Sequence, residues 1–170
     1  MPRIVIIGNA GGGKSTLARA IASKKRLHHV EIDRLLWQEG WQPTPTEIYE
    51  REHAEIINSE NWVLEGLGQR ASIPERLAPA TEIILIDMPL WMHFWLAAER
   101  QIAWAAGKLE YPPGGVSQMP PTRELFRAIW EVEQTWMPDV RALCADAERN
   151  GKPVIRLANV EMLNIFTDSA

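Results

Sequence analysis

The chain has 170 residues, enough for one well-buried core and too few for two. Its formal net charge is −4. An acidic chain without Lys/Arg clusters argues against direct contact with nucleic acid, because duplex binding leans on neutralising phosphates.

In chain order, residues 3–7 are a short β-branched run closed by Gly8. They read as a buried strand and not as a signal peptide, because the apolar stretch runs directly into a glycine loop. Residues 14–22 read as a helix with Leu17, Ala18 and Ile21 on one face. The longest basic run, Lys24-Lys25-Arg26, suits the end of that helix, where cations complement the dipole. The stretch HHVEID, residues 28–33, reads as a second strand ending in Asp33, with Glu31 on the same side two residues earlier. Residues 34–45 form a loop or broken helix closed by prolines. A helix follows over 46–58, with Thr46 as its cap and Glu47 and Glu50 in the first turn.

NWVLEG, residues 61–66, is a third strand, and TEIILIDMP, residues 81–89, holds a fourth. Its four consecutive apolar residues fit a strand covered on both faces. Residues 90–106 are helical and tryptophan-rich. The stretch 107–121 carries four prolines and three glycines and reads as an irregular loop. A long helical stretch over 122–149 is interrupted around Pro138. In it Cys144 is spaced with Val140, Leu143 and Ala147 as a small core residue. Residues 151–157 give a fifth strand and 160–166 a closing helix. As the sole cysteine, Cys144 leaves no internal disulfide and suits a reducing compartment. His28, His29, His53 and His93 have no metal-ligand spacing with it, so no structural zinc is expected. No apolar segment is long enough to span a bilayer, so a soluble cytoplasmic protein without membrane association is expected.

Strands alternating with helices imply an α/β fold: a single domain built on an open parallel sheet with helices on both faces. Ligands gather at the carboxyl ends of such strands. Gly8, Asp33, Glu65, Asp87 and Ala158 all follow strand ends in this reading and converge on one site.

Gly8-x-x-x-x-Gly13-Lys14-Ser15 matches the P-loop (Walker A) pattern in full. Gly8, Gly11, Gly12 and Gly13 let backbone N–H groups turn around phosphate oxygens. Lys14 supplies a cation to the outer phosphates of ATP, Ser15 offers its hydroxyl to Mg²⁺, and Thr16 continues the cradle into a helix whose positive end faces the same anion. An acid from a neighbouring strand usually steadies the metal's waters. Glu65 and Asp87 both qualify, with Glu65 preferred and Asp87 kept as a supporting group.

The stretches IVIIGNAGGGKSTLARAIA, VEIDRLLWQEGW and NWVLEGLGQRASIPERLAPATEIILIDMPLW, and less closely RAIWE, make the chain resemble the small adenylate-kinase-like P-loop kinases. Within these it is most similar to the bacterial group of topology modulation proteins. The resemblance covers most of the first hundred residues and extends to the rest only in layout. It implies a three-layer fold with a five-stranded parallel sheet, the P-loop strand lying between the third and fourth strands. It also implies ATP as donor with Mg²⁺, an acceptor-covering region over about 34–60, and a lid over about 107–121. By the same resemblance Lys14 and Arg100 stabilise the transferring phosphoryl group, and Asp33 holds or orients the acceptor. Arg34 and Arg70 lie where the acceptor is gripped. The lid stretch departs from the pattern: it holds Lys108 but no arginine, and Arg123 follows only after it.

Trp91, Trp95 and Trp104 have helical spacing and read as core or lid-hinge residues, and Trp130 and Trp136 as packing. Trp37 and Trp41 follow Asp33 in a loop that would cover the acceptor, where an aromatic wall can stack on a ring. Two large side chains pinning that loop to the core are the plainer alternative. The reading that emerges is an ATP-dependent phosphotransferase acting on a nucleotide, a nucleoside or a small hydroxylated metabolite. Asp33 favours a hydroxyl acceptor, whose proton it can take, and Arg70 favours a nucleotide monophosphate. The alternative is a P-loop ATPase, or an ATP-binding regulatory protein without a small-molecule acceptor.

Overall fold

The computed structural model describes residues 1–38, 40, 42–111 and 118–169. Five parallel strands form one sheet: β1 (Arg3–Gly8), β2 (His28–Glu31), β5 (Trp62–Glu65), β6 (Glu82–Ile86) and β7 (Val154–Leu157). Their spatial order is β2–β5–β1–β6–β7, so the P-loop strand sits in the centre between the third and fourth sheet strands of the chain. In register, Ile6 lies opposite Glu65 on β5 and Ile84 on β6.

Alternation along β1 divides the core. Val5 and Ile7 face one layer with Val30, Ile32, Tyr49, Trp62 and Met137. That layer is covered by α3 (Thr46–Asn58), α4 (Ile73–Leu77) and α7 (Met137–Arg149). Ile4 and Ile6 face the other layer with Leu17, Ile21, Ile84 and Leu163, beneath α1 (Lys14–Lys25) and α8 (Val160–Ser169). Each such aliphatic side chain, fully buried, contributes roughly 1.5–3 kcal/mol. Cys144 is wholly buried in the first layer, and burial pushes its thiol up to about 11.

Four local features differ from expectation. Strand β2 stops at Glu31, and Asp33 opens a short helix, α2 (Asp33–Leu36), so Asp33 and Glu31 do not share a strand face. The supposed loop beyond it contains a small antiparallel ladder of β3 (Trp37–Gln38) and β4 (Gln42–Pro43), with Trp37 opposite Pro43. Trp41 lies outside the described residues. At α3 the cap is Pro45, with extended ψ of 135°, and Thr46 is the first helical residue without a side-chain cap. The long C-terminal helical stretch is two helices, α6 (Thr122–Thr135) and α7, broken at Trp136. Pro138 sits in the first turn of α7, where its missing N–H has no intrahelical partner to lose.

Trp91 and Trp95, expected as core or lid-hinge residues, are not in the core but face outward. Helix α5 (Leu90–Ala105) buries His93, Ala97 and Gln101 on one face. Trp91 and Trp95 are each two residues off that row, about 200° round the helix, and are 62% and 61% exposed. Trp130 on α6 is also exposed, whereas Trp136 packs against the first core layer.

Candidate active site

The loop after β1 is held rigidly before any ligand is considered. Asn9 is fully buried; its Nδ2 donates to the Ile129 carbonyl on α6 at 2.8 Å, and its Oδ1 accepts from the Ala10 amide at 2.8 Å. His93 on α5 donates from Nδ1 to the Ala10 carbonyl at 2.9 Å, and burial lowers its pKa, keeping the ring neutral. Gly13, at φ 74°, is the cap of α1; a Cβ there would lie 2.7 Å from Leu163 Cδ2, so glycine is required for this helix to begin where it does. Ser15 and Thr16 follow on the first turn of α1, whose N-terminus points into a cavity of about 410 Å³. Gly11, Gly12, Gly13, Lys14, Ser15 and Thr16 line it. Gly8 is the last residue of β1 and packs against Ile86.

Lys14 is buried, and its Nζ donates to the Asn9 carbonyl at 2.7 Å. Burial lowers its pKa, while Glu65 and Asp33 pull it back up. Glu65, only 4% exposed, is also pushed upward by burial, but the neighbouring His29 ring, Lys14 and the Ser15 hydroxyl outweigh this and hold the carboxyl below its ordinary range. Asp33 is exposed at the surface, with protein groups crowding the carboxyl from the cleft side. The desolvation this brings raises its pKa, against the opposing pull of Lys14 and of a long hydrogen bond from the Gly68 amide at 3.4 Å. Arg100 on α5 lines the cavity, feels both Asp33 and Glu65, and keeps a buried Nε without a hydrogen-bond partner.

Lys14, Ser15, Asp33, Glu65 and Arg100 are thus one cluster in space, although 86 positions of sequence separate the first from the last. The remaining expected residues lie elsewhere or are otherwise engaged. Asp87 accepts from Arg141 Nε at 2.7 Å, with Arg156 4.0 Å away. Arg34 donates to Glu31 at 3.2 Å, and Arg70 pairs with Asp139 on α7. Trp37 is half-buried in the small ladder. Lys108 follows α5, its amide bonded to the Ala103 carbonyl, and Arg123 is exposed in the first turn of α6. Among the described part of the loop, Leu109, Glu110 and Tyr111 line the cavity; residues 112–117 of the expected lid are outside the described residues.

Two contributors escaped the sequence reading. Arg19 lines the cavity, with its guanidinium 4.4 Å from the centroid of the Tyr111 ring. Its position four residues after Ser15, on the same face of α1, is a signal that could have found it. Arg76, wholly buried on α4, reaches Ser72 Oγ four residues earlier, but its other partners are backbone carbonyls of a loop, which leave no sequence signal.

The donor set suits a hard divalent cation. A hydroxyl, Ser15, adjoins a carboxylate held ionised, Glu65, and possible ligand atoms of His29, Glu31 and Glu65 lie within 4.8 Å of one another. No helix among the described residues is long and apolar enough to cross a membrane.

No family model and no curated protein matches the chain. Solved structures do. Shikimate kinase from Acinetobacter baumannii, solved in complex with shikimate, is similar at a TM-score of 0.55 and 15% identity, over 99% of this chain and 90% of the other. A proposed kinase from Chloroflexus aurantiacus matches at 0.52 and 18% identity, over 99% and 96%. Shikimate kinase from Bacteroides thetaiotaomicron matches at 0.52 and 14%, over 99% and 95%. The narrower similarity to topology modulation proteins has no counterpart among these matches. The five-stranded parallel sheet, its strand order and its flanking helices are those of the P-loop kinase fold.

Proposed function

We propose that the protein transfers the terminal phosphoryl group of ATP to a hydroxyl of a small metabolite. The observation that carries this reading is the cluster of Lys14, Arg100 and Asp33: two cations beside the P-loop cavity, with a carboxyl of raised pKa next to them. In the reaction the acceptor oxygen bonds to the terminal phosphorus as the bond from that phosphorus to the bridging oxygen breaks. The hydroxyl proton passes to Asp33. The P-loop amides bind the phosphates, and Lys14 exchanges its contact with the Asn9 carbonyl for a phosphate oxygen. Arg100 neutralises charge on the transferring group. Ser15 and Glu65, with Glu31 nearby, would hold Mg²⁺, which when bound offsets the negative charge of the outer phosphates.

A hydroxyl acceptor is favoured over a nucleotide monophosphate because Arg34 and Arg70, the cations that would grip an acceptor phosphate, are engaged by Glu31 and Asp139. The A. baumannii neighbour, whose ligand is shikimate, is consistent with an acceptor of this size. Residues 34–60 would cover the acceptor, and 107–121 would close over the nucleotide from the Tyr111 side. The soluble, cytoplasmic setting belongs to the same proposal.

The test is ADP release with ATP and Mg²⁺ against shikimate, simple sugars, nucleosides and nucleoside monophosphates, with Lys14→Ala as control. Strong Lys14-dependent stimulation by a hydroxylated compound supports the reading. Stimulation by a monophosphate replaces the acceptor class, and turnover indifferent to every addition makes the protein an ATPase.

A further inference from the structure

Arg76 is a fully buried cation, and among the described residues no carboxylate forms an ion pair with it. Leaving a guanidinium in the interior is costly unless its donors and charge are met. One turn meets its two terminal nitrogens, while Nε is buried without a hydrogen-bond partner. Nη2 donates to the carbonyls of Gly66 at 3.1 Å and of Leu67, and Nη1 donates to Ser72 Oγ at 3.1 Å.

The same turn is gripped from α3. Ser72 Oγ donates to the Gln69 carbonyl at 2.8 Å, which uses its only proton. The 2.8 Å bond between Ser72 and Tyr49 is therefore donated by the tyrosine. Tyr49 Oη in turn accepts from the Gln69 amide at 3.1 Å. Turn 66–69 is thus clamped on both flanks, and the amide in its middle, that of Gly68, is the one directed at Asp33 Oδ1. Gly68 adopts φ 59°, and a Cβ there would collide with the Tyr49 hydroxyl, so the turn tolerates no other residue without giving way.

An apolar side chain at position 76 would fill the space but leave the Gly66 and Leu67 carbonyls unpaired. What a guanidinium adds is two rigidly joined nitrogens, Nη2 on those carbonyls and Nη1 on Ser72 Oγ, together with a positive charge felt by Asp33. Burial pulls Arg76 down to about 10, which still leaves it charged at neutral pH. The other charged groups around Asp33 are Lys14 from α1, Glu65 from β5 and, across the cleft, Arg100 from α5.

We propose that Arg76 is a positioning residue for Asp33, acting through turn 66–69 and the Gly68 amide. This rests on Asp33 being the group that receives the acceptor proton, and the test separates the two claims. The first arm is spectroscopic and needs no acceptor. In ¹⁵N-labelled protein, Asp33→Asn shifts the Gly68 amide resonance when the background is otherwise unchanged. In folded Arg76→Gln the Gly68 amide has already moved and lost exchange protection, and adding Asp33→Asn moves it little further. The second arm is kinetic, with the acceptor from the panel above that stimulates most. Arg76→Gln lowers kcat about tenfold or more with the KM for ATP within about twofold, and Arg76→Lys restores only part, because one ammonium nitrogen cannot take both the carbonyls and Ser72 Oγ in the places of Nη2 and Nη1.

If Arg76→Gln does not fold, Arg76→Lys and Tyr49→Phe decide by the same readouts, the latter loosening the Gln69 side of the clamp while keeping the ring. An unchanged Gly68 amide, or the same response to Asp33→Asn in all backgrounds, overturns the proposal. A panel with no acceptor overturns the kinase reading and leaves the spectroscopic arm intact as the judge of Arg76.

Discussion

Arg141 on α7 donates from Nε to Asp87 at 2.7 Å and from Nη2 to Glu133 at 2.6 Å, so the acid ending β6 is tied to a helix behind the sheet. The acid ending β5, Glu65, instead adjoins Ser15 and Lys14. The two acids are therefore expected to respond oppositely to mutation. Glu65→Gln weakens the apparent Mg²⁺ affinity in the ADP-release assay by about tenfold or more. Asp87→Asn leaves the Mg²⁺ titration in place and lowers unfolding stability by about 1 kcal/mol, modest because both partners are partly exposed. A collapsed Mg²⁺ response in Asp87→Asn would reverse the assignment.

On the proposed mechanism, Asp33→Asn removes the group that takes the acceptor proton without changing shape. The expected loss is about 10²- to 10⁴-fold in kcat, with ATP binding by calorimetry unchanged. Because desolvation raises the Asp33 pKa, kinase activity is expected to fall as pH drops through a midpoint above the usual carboxylate range. In Asp33→Asn that limb disappears from the pH–rate profile. Persistence of the same limb in the variant would assign it to another group.

Arg19 and Tyr111 meet in the lining of the P-loop cavity, and a contact of this kind at an exposed site is worth about 0.5–1 kcal/mol. Tyr111→Ala and Arg19→Ala are each expected to raise the KM for ATP about three- to tenfold with little change in kcat. A kcat effect with KM intact would place the pair closer to the transferring group.

His53 is buried, stacks on Tyr49 with ring centroids 5.7 Å apart, and has its pKa lowered to about 4, chiefly by burial and secondarily by Arg76. The unfolded chain takes up this proton near pH 6.5, the folded chain only near 4, so stability rises with pH between those values and is lost as pH falls through them. Between pH 7.5 and 5 the loss is of order 2 kcal/mol, below the full shift because pH 5 stops short of the folded-state value. Urea unfolding at pH 7.5 and pH 5 measures it. His53→Gln should flatten the dependence; an equal slope in the variant would assign the effect to other groups.

Local chemistry determined much of this protein from sequence alone. The glycine pattern ending in Lys14 and Ser15 specifies its own loop and helix start. Apolar runs ended by turn residues specify five strands, because each signal is complete within a few neighbouring residues. The outward turn of Trp91 and Trp95 was not legible, since their spacing fits either face of α5 and only the packing of His93 and Ala97 against the P-loop, with Gln101 bonded to Pro120 and Thr122, chooses between them. The engagement of Asp87 and Arg70 was equally hidden. An ion pair depends on which side chains the tertiary fold brings within about 4 Å, and for Asp87 and Arg70 those partners come from α7, far along the chain. Arg76 was the least visible of all, because its partners are backbone carbonyls that exist as a pair only once turn 66–69 has closed around Tyr49 and Ser72.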